Sequence, residues 1–168
     1  MYNKQKGFTL VELLVVIAII AVLAGALLVA INPQSLLQKG RDAKRLQDMD
    51  GLVKAINLSL TDGEIALAVA AERDSVDESQ AVTGAGWVSF TIPTTTPAKI
   101  GLAKFVATLP IDPLNVAPNV YSFASSATNF EVNAVLESPD NTLKMSTDGG
   151  NDPARFEMGT SLTLISPL

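Results

Sequence analysis

The chain has 168 residues, enough for one domain with an appendage, and 12 Lys and Arg against 17 Asp and Glu give it a net charge of −5. It contains no cysteine, which excludes disulfides, thiol nucleophiles and cysteine zinc sites, and no histidine, which excludes Ser–His triads and imidazole metal sites. No basic patch follows Arg45, so the bulk of the chain lacks the electrostatic footprint of a nucleic-acid surface.

The first element is an apolar run. From Leu13 to Ile31 there are 19 residues, every one Leu, Val, Ile, Ala or a single Gly. As a helix this spans about 28 Å, close to a bilayer core of roughly 30 Å. Lys4, Lys6 and the stretch Lys39–Arg45 flank the run on both sides. A secretory signal peptide accounts for the basic start, and Ala24-Gly25-Ala26 imitates its cleavage site, but the run continues past it. A plain membrane anchor fits the length. Neither explains Glu12, whose charge would cost about 2.5–3.5 kcal/mol at the centre of a membrane helix and less near its end.

Lys6-Gly7-Phe8-Thr9-Leu10-Val11-Glu12-Leu13-Leu14 resembles the processing site of type IV prepilins and pseudopilins. The resemblance implies a leader, residues 1–7, removed after Gly7 by a prepilin peptidase that also methylates the new N-terminal residue, Phe8. It implies a precursor in the bacterial inner membrane and a filament, extracellular or in the cell envelope, of copies of this chain built on an inner-membrane assembly platform. Membrane lipid surrounds the helix before assembly. Glu12 then has a role. Its carboxylate meets the charged amine of Phe8 on a neighbouring subunit, each offsetting the other's desolvation and fixing register in an otherwise featureless apolar bundle.

Asn32-Pro33 interrupts the helix, because proline removes a backbone donor and disfavours helical geometry at the residue before it. Beyond it Leu36, Ala43, Leu46, Met49, Val53, Ile56 and Leu60 form an apolar stripe, with Lys39, Arg41, Asp42, Lys44, Arg45, Asp48 and Asp50 on a solvated face. The interleaved acids set this face against a nucleic-acid stripe and suit a surface near charged lipid or neighbouring subunits. Thr61-Asp62-Gly63 is the expected stop. Residues 8–32 thus read as a transmembrane and filament-core helix and 33–62 as its amphipathic continuation.

Residues 63–168 read as a globular head. Glu64–Glu72 favours a short helix, Arg73–Gly86 a loop, and Trp87–Ile92 a strand by alternation. Ala98–Leu109 carries apolar residues at helical spacing. Asn119–Ser125 and Asn129–Glu137 read as paired strands with Phe130, Val132, Ala134 and Leu136 on the core face, and Thr142–Thr147 as a further strand. The fold class is α+β: a long N-terminal helix packed on a small antiparallel sheet, as in pilins.

Leu109-Pro110-Ile111-Asp112-Pro113 followed by Tyr121-Ser122-Phe123 is similar to a segment of the major pseudopilins of type II secretion, and Ser146-Thr147-Asp148-Gly149-Gly150 to their C-terminal loop. The resemblance implies calcium on Asp148 and Asp152, with Ser146 and Asn151 as further donors. By itself Asp-Gly-Gly-Asn-Asp reads first as turn chemistry, since the spacing is not that of an EF-hand. The alternatives in function are a pilus subunit, a secretion pseudopilin and a membrane-anchored binding or enzyme domain that never polymerises. The expectation is a structural subunit and not an enzyme.

Overall fold

The computed structural model describes residues 7–168; Lys4, Lys6 and the rest of the leader ahead of Gly7 lie outside the described residues. Contacts divide the chain into two compact units, Met1–Leu37 and Gln38–Leu168. In the first, helix α1 spans Leu10–Ile31. It ends where Asn32 adopts left-handed geometry (φ 46°), and Pro33 opens helix α2, Pro33–Thr61. Proline suits that position because a first-turn N–H has no helical acceptor to lose. The residues Leu10–Val29 are long and apolar enough to cross a membrane, and none of that span is buried.

In the second unit, one face of α2 is buried: Asp42, Arg45, Met49, Leu52, Ala55, Ile56 and Ser59. It lies on a four-stranded antiparallel sheet in the order β1 (Ala70–Asp74), β2 (Tyr121–Ser125), β3 (Phe130–Ala134), β4 (Phe156–Gly159). Strand alternation sends Phe130, Val132 and Ala134 into the core with Tyr121 and Phe123, beside Met49, Leu52 and Ile56. Trp87, Val88, Phe90, Leu102 and Leu109 from the long β1–β2 connection complete the same core. The Trp87 indole N–H donates to the Pro110 carbonyl at 3.0 Å, so its one polar atom is satisfied inside. The other face of β3 carries Glu131 and Asn133, both buried.

The bounds of helix α2 and the paired strands β2 and β3 follow the sequence expectation closely. Other elements differ. Glu64–Glu72 is not helical: Gly63 turns the chain at φ 62°, Ala66 bridges to Thr91, and β1 begins at Ala70. Glu64 is pinned by the Ile100 N–H and the Lys104 ammonium, which holds the segment extended against its helix propensity. Trp87–Ile92 makes that one bridge rather than a strand, and Trp87 and Val88 are both buried instead of alternating. Ala98–Leu109 contains only a 3₁₀ turn, Gly101–Lys104. Thr142–Thr147 is a short helix, α3, rather than a strand, and β4, Phe156–Gly159, is a strand that the sequence reading did not single out.

The largest correction concerns α2. Asp42 and Arg45 belong to the buried face, whereas Ala43 and Leu36 of the expected stripe are exposed. The reason is pairing. Arg45 donates to Asp42, Asp112 and Glu137, and Asp42 accepts from the Glu137 and Ser138 N–H groups and from Asn141. Ionised groups leave water only when every one is met in this way.

Candidate functional site

Gly7, Phe8 and Glu12 lie on and just ahead of the first turn of α1. Thr9 is the N-cap, in extended geometry. Its hydroxyl accepts from the Glu12 N–H at 3.3 Å, while its own N–H and hydroxyl both donate to Glu12 Oε2 at 2.8 Å. This is a reciprocal capping box, in which Thr and Glu three residues apart satisfy helix N–H groups that have no acceptor of their own. The signal stood in the sequence as Thr9-Leu10-Val11-Glu12, and Thr9 is the residue that the motif reading passed over. Only Oε2 is engaged by Thr9.

Phe8 is 88% exposed, an unusual state for phenylalanine in water. Gly7 has an ordinary backbone, and a Cβ added there would meet nothing within 4 Å among the described residues. Nothing in the described chain therefore requires glycine at this position. A requirement for it has to come from a molecule that handles the chain.

Asp148 and Asp152 occupy the loop between α3 and β4. Asp148 Oδ1 accepts the Gly150 N–H at 3.0 Å and Oδ2 the Glu157 N–H at 2.8 Å. Asp152 Oδ1 accepts the Ala154 N–H at 2.8 Å and Oδ2 the Leu168 N–H at 3.0 Å. Ser146 donates back to the Leu143 carbonyl and Asn151 to the Ile165 carbonyl. Asp148, Asp152 and Asn151 each make a bond that ties the loop to β4 or the C-terminal tail, while the Ser146 bond stays within α3. Among the described residues no group of three His, Cys, Asp or Glu side chains is arranged to hold a metal.

Beneath this loop lie two buried carboxylates. Glu131 Oε2 accepts the Leu164 and Ile165 N–H groups at 2.6 and 3.1 Å, and Glu157 Oε2 accepts the Asp152 N–H at 3.0 Å. Burial pushes the Glu157 carboxyl up to about 7; the Asp152 N–H opposes this, and the Glu131 carboxylate adds to it. Gly150 lies against Glu157, where an added Cβ would fall 1.6 Å from Oε2.

Residues 2–28 match the family model for the prokaryotic N-terminal methylation motif. The chain therefore carries the signature of type IV pilins and pseudopilins over its N-terminal segment. No curated protein and no solved structure gives a significant match to the chain.

Proposed function

We propose that the chain is a structural subunit of a type IV pilus-like filament. It enters the bacterial inner membrane as a single-pass precursor, is cut after Gly7, methylated on Phe8, and polymerises through α1. The observation that carries this reading is the methylation motif placed on a helix of which no part of the Leu10–Val29 span is buried. That surface needs lipid in the precursor and other subunits in the product. At about 25 cal/mol per Å² of apolar surface removed from water, leaving it exposed is not an option.

In this mechanism Glu12 serves two stages. In the precursor its carboxylate closes the Thr9 cap and so begins the helix cleanly at the membrane boundary. After cleavage, the amine of Phe8 on a neighbouring subunit supplies a full charge for the carboxylate. The attraction is strongest where water is excluded. Van der Waals packing of Leu, Val and Ile alone permits sliding, whereas a charge pair selects one register.

A second reading, the major pseudopilin of a type II secretion system, is favoured by Leu109–Pro113 and the aromatic strand that follows. Intact-mass measurement on protein extracted from the membrane tests the filament class as a whole. Loss of residues 1–7 with gain of one methyl group is expected. An uncut N-terminus overturns both filament readings in favour of a simple anchor. Filament length and dependence on secretion genes then separate pilus from pseudopilus.

A further inference from the structure

Resemblance to the pseudopilins places calcium at the Asp148–Asp152 loop, and the geometry of this chain disagrees. Calcium takes six to eight oxygen ligands. Here all four oxygens of Asp148 and Asp152 accept backbone N–H groups, so a cation seated on them would face the positive ends of those dipoles. The side chains of Ser146 and Asn151 are turned to carbonyls elsewhere.

A positive charge is nonetheless present. Arg155, just ahead of β4, is one-tenth exposed, with Nε 3.5 Å from Asp152 Oδ2 and Nη1 donating to Glu72 Oε1 on β1 at 2.8 Å. The guanidinium thus ties the loop, through Asp152, to the far edge strand of the sheet. Its own N–H also closes the turn by donating to the Asp152 carbonyl at 3.2 Å. We infer that this chain closes its C-terminal loop with a resident cation, Arg155, in place of a metal ion.

The chemistry is consistent. A guanidinium is permanently charged and presents its donors in a fixed fork, so it can bridge two carboxylates on different elements as a divalent ion would. Unlike an ion, it cannot leave when calcium is scarce. The head would therefore keep its closed loop at any calcium level. This inference stands whether or not the filament reading holds, because it concerns the loop alone.

The test is thermal unfolding of the full chain in detergent micelles at fixed pH, in millimolar calcium and in chelator, with hydrogen exchange of residues 148–157 read beside it. The two melting curves should coincide. Arg155→Gln should lower Tm by about 3–6 °C and speed exchange across the loop, while Arg155→Lys recovers at least half of the loss. Glu72→Gln, at the more exposed end of the bridge, should reproduce part of the effect in a variant that folds. A saturable rise in wild-type Tm with free calcium overturns the inference. Its loss in Asp148→Asn would put the ion on the loop, and its loss in Glu157→Gln would put it on the carboxylates below. Wild-type exchange in Arg155→Gln overturns it as well.

Discussion

The Arg45 guanidinium grips Asp112 with two parallel bonds, Nε to Oδ2 at 2.5 Å and Nη2 to Oδ1 at 2.9 Å, and neither side chain is exposed at all. The pair joins the middle of α2 to the connection that leads into β2, 67 positions away along the chain. Burial by itself pulls the arginine toward neutrality, but the Asp112 and Glu137 bonds outweigh it and hold the charge more firmly than in water. Asp112 also accepts the Leu114 N–H at 2.8 Å, so the carboxylate shapes its own turn. Asp112→Ala leaves a buried guanidinium short of its best partner and should cost about 3–5 kcal/mol in a denaturant titration. Replacing Arg45 and Asp112 together by apolar residues should cost less than the sum of the single changes.

Glu137 and Glu157 should give the head opposite responses to pH. The Arg41 hydrogen bond, helped by Arg45 and partly opposed by burial, holds Glu137 below the ordinary carboxylate value. Its contribution is present above the unfolded value of 4.5 and is lost as pH falls through the lower folded value. Glu157 titrates near 7 in the fold against 4.5 unfolded, so its contribution is full below 4.5 and declines as pH rises to about 7. Stability should therefore peak on the mildly acidic side. Melting temperature followed across pH checks this, and Glu157→Gln should flatten the decline between 4.5 and 7.

Processing and assembly should separate by mutation. Gly7→Val should leave full-length precursor in the membrane, since the described chain itself tolerates a Cβ there and the restriction lies with the peptidase. Immunoblots of the membrane fraction read the outcome; normal trimming would mean that the cleavage site is elsewhere.

Thr9 and Glu12 allow the two proposed duties of the carboxylate to be told apart. Thr9→Val removes the hydroxyl half of the capping box, at about 1 kcal/mol of helix stability, yet keeps the charge. Glu12→Leu removes the charge and the carboxylate half of the capping box, leaving the residue-12 N–H on the Thr9 hydroxyl, and should still insert and be cut, because it deletes a polar cost in the membrane. Sheared-filament yield by electron microscopy should be near normal for Thr9→Val and poor for Glu12→Leu, with Glu12→Gln between. Equal loss in Thr9→Val and Glu12→Leu would reduce Glu12 to a capping residue and sink the intersubunit pair.

Two glycines should respond in opposite directions. Gly51 lies in α2 with open space where a Cβ would be, so Gly51→Ala should stabilise the head by roughly 0.5–1 kcal/mol. Gly159 closes β4 at φ 156°, with the Phe130 carbonyl 2.1 Å from an added Cβ. Gly159→Ala must push β3 and β4 apart and should cost about 1–3 kcal/mol or more. Chemical denaturation of both variants in one buffer gives the comparison.

Patterns confined to neighbouring residues were legible from the sequence alone. The apolar run, the stop at Asn32-Pro33, the N-terminal motif and the alternating strands β2 and β3 each follow from side chains within a few positions of one another, and these made the architecture readable. What depended on distant partners was not. Arg45 looks like a surface residue until Asp112 and Glu137, 67 and 92 positions on, are brought beside it. Glu64–Glu72 has the composition of a helix, but the Ile100 N–H and Thr91 claim its side chain and backbone first. Asp148 and Asp152 were visible as paired acids. Their nearest N–H partners, Gly150 and Ala154, lie within the loop, but the Glu157 N–H on β4, the Leu168 N–H and the reach of Arg155 to Glu72 depend on how the chain folds back on the sheet. Local propensity is worth tenths of a kcal/mol per residue, and a buried hydrogen bond to a charge is worth more, so where the two compete the tertiary partner wins.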